Sequence, residues 1–357
     1  MKRNAKILVI LISLPFFVLV VLKTHSVSAQ SKPETAGEKF KNITVLNDMP
    51  ADQLGKVMNI FSASLGKNCS FCHVEDKFDL DEKKEKATAR EMIKMTVELN
   101  KEHFRGRPEI SCNTCHGGKE RPQSLPGLAP VAAEARPKQP ESRPTADQII
   151  DKYLKALGGT AKLARVTSRH VKAQRIEPDG KSVEPEEIWF KTGKYRALTA
   201  YGKYMVREEF DGSAARKFGN TDEITLKSDE AEQIRREAEL FSPATIRAIY
   251  PRIEFRSVEK IDGREVNMVF ATTAGGVRER LAFDAKTGLL VRRSAWTPTI
   301  FGNFVYQVDY LDYKNFGGVR IPTTIQYAMP NIRWTRKVTS VETNVPIGDA
   351  IFSSKAQ

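Results

Sequence analysis

Cys69-Ser70-Phe71-Cys72-His73 and Cys112-Asn113-Thr114-Cys115-His116 are two copies of one pattern, and between them they hold all 4 cysteines of a 357-residue chain. In each copy the two cysteines lie about one helical turn apart, and a histidine follows directly. C-x-x-C-H is the attachment signature of c-type haem. The two thiols reach the two vinyl groups of one porphyrin, and the adjacent imidazole points at its iron. The repeat therefore predicts two covalently bound haems, with a small helical domain built around them.

Three other chemistries use paired cysteines. A structural zinc site takes two C-x-x-C knuckles about 15–20 residues apart. Here the gap from Cys72 to Cys112 is longer, and a histidine follows each pair. A disulfide inside C-x-x-C closes a tight, strained loop that suits redox exchange better than stapling. A thioredoxin-like motif needs neither the histidine nor the repeat.

The N-terminus reads as an export signal. Lys2, Arg3 and Lys6 precede an apolar run from Ile7 to Leu22, and Val27-Ser28-Ala29 forms a small-residue cleavage site before Gln30. Residues 1–29 are thus expected to be a signal peptide and the mature chain periplasmic, outside the reducing cytosol. The run is near the about 17–25 residues that span a bilayer, so an uncleaved inner-membrane anchor over residues 7–22 is the alternative. Pro15 and the cleavage pattern favour removal, and no cysteine follows the run to serve lipoprotein processing. The net charge of +13 suits an acidic redox partner or an anionic lipid surface. Without a recognition motif beside it, this charge does not indicate nucleic acid.

Upstream of the first motif, the turn Asn47-Asp48-Met49-Pro50 leads into a predicted helix from Ala51 to about Leu65. Leu54, Val57, Met58 and Phe61 share its apolar face, and Gly66 stops it. Met58 lies about three turns before Cys69. Its soft thioether suits the sixth position of a haem iron, where Met/His ligation raises the potential. Core packing is the other use of a helical methionine. Between the motifs, a charged segment from Glu75 to Lys86 opens a second helix that runs to about Glu102. Met92 and Met95 share one of its faces, so one can ligate while the other packs. His103 at its end is explained as well by the helix dipole as by iron.

This order of elements resembles one half of the cytochrome c subunit of photosynthetic reaction centres, and is close to two-haem relatives outside photosynthesis. The resemblance rests on the methionine helix, the first motif, Ala89-Arg90-Glu91-Met92-Ile93-Lys94-Met95 with Asn100, and Cys112-Asn113-Thr114-Cys115-His116-Gly117, and it covers roughly Phe40 to Arg121. It implies Met58 as sixth ligand of the first haem and Met92 as that of the second, with His73 and His116 as proximal ligands. Cys69, Cys72, Cys112 and Cys115 are then the attachment points. In four-haem members a later histidine serves the other half. That half is missing here, so the role is not carried to His103.

Residues 121–144 are rich in proline and alanine and are expected to form a semi-rigid tether on which a haem domain, residues 30–120, moves. A second domain, residues 145–357, opens with the capping-box pattern Thr145-Ala146-Asp147-Gln148 and a helix with Ile149, Ile150, Tyr153, Leu154 and Leu157 on one face, stopped by Gly158-Gly159. A short helix over Ala161–Val166 comes next. Period-two runs follow at Tyr195–Ala200, Tyr204–Phe210, Ile253–Val258, Val266–Ala271, Arg278–Phe283 and Leu289–Ser294. Turn signals such as Asp262-Gly263 and Gly275-Gly276 separate them, and only Ser228–Leu240 interrupts as a helix. Such runs imply an antiparallel meander curled over an apolar face. On segments such as Phe283-Asp284-Ala285-Lys286-Thr287-Gly288-Leu289-Leu290 and Asp309-Tyr310-Leu311-Asp312-Tyr313 it resembles the half-barrel of outer-membrane lipoprotein-sorting proteins. That resemblance implies a concave side able to hold acyl chains; a docking or structural module is the other reading.

The fold class expected is α+β: a small α-helical dihaem cytochrome c domain, then a curved antiparallel β half-barrel with packed helices. The second half has His170 as its only histidine, no cysteine and no G-x-S-x-G elbow, so no catalytic constellation is expected there. Its Asp and Glu residues, mostly beside Lys or Arg, read as surface. The expected function is one-electron transfer between redox partner proteins through two His/Met-ligated haems. The alternatives are a peroxidase-like dihaem enzyme with one open axial site, and a lipid or ligand carrier with a redox domain.

Overall fold

A computed structural model describes residues 33–122, 143–219, 223–226, 228–240 and 243–353. The export segment 1–29 and most of the expected tether lie outside the described residues.

The helical unit begins with α1 (Ala36–Lys39), where Thr35 and Glu38 form a full capping box. A 3-10 turn over Ala51–Gln53 leads into α2 (Leu54–Leu65), which ends at Gly66 with φ 62°. The first C-x-x-C-H motif follows as a 3-10 turn, Cys69–Phe71. Helix α3 (Lys84–Phe104) ends on Arg105 in the left-handed conformation. The second motif is itself wound into α4 (Cys112–His116), with Ser111 and Thr114 closing a capping box.

Helices α5 (Ala146–Leu157) and α6 (Thr160–Leu163) then introduce a sheet. Its first six strands are β1 (Ser168–Ile176), β2 (Val183–Lys191), β3 (Lys194–Tyr201), β4 (Tyr204–Phe210), β5 (Ala215–Phe218) and β6 (Glu223–Thr225). Helices α7 (Ser228–Leu240) and α8 (Ile246–Ile249) precede β7 (Arg252–Ile261), β8 (Arg264–Thr272), β9 (Arg278–Asp284), β10 (Leu290–Thr299), β11 (Gly302–Phe316), β12 (Val319–Ala328) and β13 (Arg333–Thr343). The 13 strands form one sheet in the order β6-β5-β4-β3-β2-β1-β13-β12-β11-β10-β9-β8-β7. Two meanders are thus joined by the antiparallel pairing of β1 with β13. Because β6 and β7 are the two edges, the chain must cross the sheet between them, and α7 and α8 are that crossing.

The crossing fills one face. Ile234 and Ala238 of α7 pack on Val171, Ile188, Tyr195 and Phe210. Ile246 and Ile249 of α8 join Ile150, Tyr153 and Leu157 of α5 over Val269, Leu281 and Phe283. A cavity of about 150 Å³ beside Gln148 and Phe283 is small against ligand sites of about 300–1,000 Å³.

Three expectations are corrected. Helix α8 joins α7 as a second interruption. Acidic residues expected on the surface are buried: Glu186 bonds Arg336 at 2.6 and 2.8 Å, and Glu279 accepts from Arg236 at 3.1 Å and from the Tyr250 hydroxyl at 2.6 Å. The haem domain, expected to move on a tether, is packed on the sheet. Val57 and Ile60 of α2 share a buried cluster with Phe301 and Phe304 at the start of β11.

Candidate haem-binding site

A cavity of about 950 Å³ lies among α2, α3 and both motifs. This is at the upper end of the about 300–1,000 Å³ typical of cofactor sites. Met58, Cys69, Cys72 and His73 line it, and so do Met92, Cys112 and His116. Cys115 is exposed, one turn along α4 from Cys112, and is not part of the lining. Of the two methionines on α3, Met92 lines the cavity and Met95 does not. His103 is exposed beside Glu102 and takes no part.

Both motif histidines are held alike. His73 Nδ1 lies 3.0 Å from the Phe78 carbonyl and His116 Nδ1 lies 3.0 Å from the Lys119 carbonyl. A carbonyl only accepts, so each Nδ1 carries the proton and donates it, and Nε2 is the nitrogen left for a metal. Ligating imidazoles are oriented in this way by outer partners, which fix the tautomer. Burial, followed by the Lys86 and Arg90 charges, holds His73 below its usual pKa against the pull of the Phe78 bond, which favours the neutral imidazole that binds iron.

The thiols fit attachment better than the alternatives. All 4 cysteines are free. Burial pushes Cys112 up to about 11 and raises Cys72. Among the described residues no three His, Cys, Asp or Glu side chains gather as a metal cluster.

Lys86 is a site residue that sequence reasoning passed over. It is buried, and its ammonium donates to the carbonyls of Phe78, Asp79 and Leu80 at 2.9–3.0 Å while pairing with Asp81 at 2.9 Å. Phe78 thus accepts from both Lys86 and His73, so one buried cation sets the loop that orients the first imidazole. The signal was present: Lys86 lies on the same stripe of α3 as the buried Ile93, Thr96 and Asn100. Asn100 serves the second motif in a similar way. Its amide donates to the Ile110 carbonyl at 2.7 Å and accepts from the Ile110 N–H at 2.9 Å, pinning the return loop.

The two motifs meet at a pair of glycines. The Gly118 N–H donates to the Ser64 carbonyl at 2.8 Å, and a Cβ on Gly66 would collide with the Gly118 carbonyl. Gly66 also has the left-handed φ that ends α2. Replacing Gly66 with alanine is therefore expected to cost about 1–2 kcal/mol for the backbone alone, before the collision is counted. Thermal melting followed in the haem absorbance should show a lower midpoint.

Cysteine pairs with following histidines, Nδ1-anchored imidazoles and thioethers gathered about one cavity are the side chains that attachment and ligation of c-type haem use. The comparisons agree. Residues 19–150 match the family described as photosynthetic reaction centre cytochrome C subunit. The photosynthetic reaction center cytochrome c subunit of Roseobacter denitrificans is 29% identical over 102 residues, covering 26% of this chain and 28% of that protein. Cytochrome c-554 of Chloroflexus aurantiacus is 32% identical over 93 residues, covering 24% of this chain and 22% of that protein. The chain thus spans about a quarter of the length of these curated relatives. A LolA superfamily protein structure from Nitrosomonas europaea, 14% identical with a TM-score of 0.42, covers 59% of this chain and 99% of that one.

Proposed function

We propose that the protein is an exported dihaem cytochrome that passes electrons one at a time between redox partner proteins. The observation that carries this reading is the matched pair of histidines, each with Nδ1 donated to a backbone carbonyl at 3.0 Å, around a cavity that Met58 and Met92 also line. Cys69, Cys72, His73 and Met58 serve one haem; Cys112, Cys115, His116 and Met92 serve the other. Haem, once bound, supplies a one-electron couple whose potential the axial ligands, burial and nearby hydrogen bonds set. A histidine and a methionine would be available to each iron, which supports a carrier over a peroxidase. The charged N-terminus and apolar run support a periplasmic location, with residues 7–22 removed or kept as an inner-membrane anchor. The net charge of +13 suits an acidic partner or an anionic surface.

Potentiometric titration of protein matured with haem tests the reading. Two one-electron steps are expected; a single step, or turnover of peroxide, contradicts it. Lys86 makes a sharper prediction. Replacing it with methionine removes a cation near the first haem and frees the Phe78 carbonyl for a stronger bond from His73, which makes the imidazole more basic. Both effects favour the oxidised iron, so one step should fall by about 60 mV, a tenfold change in a one-electron equilibrium. The same titration reads it.

A further inference from the structure

The helical unit meets the sheet unit along α2, and the contacts bracket Met58. The Phe61 ring lies 4.9 Å from that of Phe301 at 73°, and Phe301 is 2% exposed in the turn between β10 and β11. Phe304 of β11 is buried in the same cluster, against which Met58 packs. Two polar ties flank this apolar centre. Lys56, itself buried, pairs with Asp229 of α7 at 2.9 Å, and Asp229 also accepts from Thr297 of β10 at 2.8 Å. The backbone N–H of Asn331 donates to Asn59 Oδ1 at 2.9 Å. Residues 56, 59 and 61 of α2 are thus each fixed to the sheet unit, on both sides of residue 58.

We infer that the sheet unit is the buttress of the first haem's sixth ligand. A methionine side chain has three rotatable bonds and little directional preference. Its sulfur stays at one point only if the backbone beneath it is held. The far end of α2 is held by the Ser64–Gly118 bond, whereas the turns around Met58 pack on Ala36, Leu46, Met49 and Ile93 of their own unit and are tied from the sheet by Phe301, Phe304, Asp229 and Asn331. On α3 only Ile93, beside Met92, shares that apolar cluster, and the polar ties to Asp229 and Asn331 reach α2 alone, so the two methionine helices differ in how firmly the sheet holds them. The inference rests on the reading of Met58 as a ligand, and it gives the second domain a role in setting one potential of the pair.

The test uses full-length, haem-loaded protein. Phe301→Ala is expected to lower the reduction equilibrium constant of one haem about tenfold, 59 mV for a one-electron couple, and to leave the other unchanged. The same haem should lose intensity in its sulfur-to-iron absorption band and bind cyanide about tenfold faster. Asp229→Asn, at the rim of the contact, is expected to shift the same step in the same direction by less, and it stands in if the phenylalanine variant does not fold. Met58→Ala identifies which step belongs to the first haem. If Met58→Ala moves a step and the folded interface variants do not, the buttress is overturned while the ligand reading stands. If Met58→Ala moves neither step, both fall.

Discussion

Replacing Met58 with alanine is expected to leave haem attached through Cys69 and Cys72 but to lower the potential of that haem, by on the order of 100 mV within the about 0.8 V that axial ligands command. The thioether is a neutral, soft ligand that favours the reduced iron, and a water or vacant site in its place does not. The variant should retain the same haem content, lose half of the sulfur-to-iron band and gain a high-spin fraction. Met92→Ala should act on the other step. Met95→Ala should act on neither, because Met95 lies off the cavity while Met92 lines it. Potentiometric titration of the three variants reads all of this, and an unchanged potential in Met58→Ala removes Met58 from the ligands.

Removing the carboxylate of Glu279 should be the most damaging single change in the sheet unit. Glu279 is buried between two guanidiniums, Arg236 at 3.1 Å and Arg293 at 3.5 Å, and accepts from the Tyr250 hydroxyl. Breaking a buried pair by deleting one partner costs about 3–5 kcal/mol, because the remaining charge has no compensation. Here Arg236 keeps its pairs with Glu232 and Glu239, while Arg293 loses the carboxylate beside it and keeps the neutral Gln233. Urea unfolding followed by the tryptophans, all three of which lie on strands of this unit, should show that loss in Glu279→Ala. The pair also has a pH signature. Burial alone would raise Glu279, but Arg293 and Arg236 outweigh it and hold the carboxyl below its usual range. A depressed pKa adds stability above the unfolded value of about 4.3 and loses it as pH falls toward the folded value. The wild type should therefore weaken on acidification below about pH 4, with a shallower acid slope in Glu279→Gln.

The residues of the candidate site were largely legible because the chemistry expected of them is local. Two thiols and an imidazole must be adjacent to serve one porphyrin, so Cys69 to His73 and Cys112 to His116 announce themselves in sequence. The helices before and between them were legible from apolar spacing and from Gly66. Support from a distance left no such mark. Lys86 sits in a charged run that reads as solvated, and its burial depends on the loop of residues 78–81 folding back over it. Phe301 is a single aromatic in a turn, and nothing near it in sequence points to α2.

In the second half, the strands from β7 to β10 alternate cleanly and were read. Strands β1, β12 and β13 were not, because buried positions there carry Arg169, Thr323 and Arg336 where the alternation expects apolar side chains. The same buried charges are why acidic residues taken for surface prove to be core. Pairing partners such as Glu186 and Arg336 are 150 residues apart, a distance no periodicity spans.

The most direct test of the account is the haem count and visible spectrum of full-length protein expressed with export and haem maturation. Two covalent haems per chain by pyridine haemochrome are expected, both low-spin with a sulfur-to-iron band in the oxidised protein, and neither binding carbon monoxide readily when reduced. One haem per chain, or a high-spin haem that takes carbon monoxide or peroxide, would contradict it.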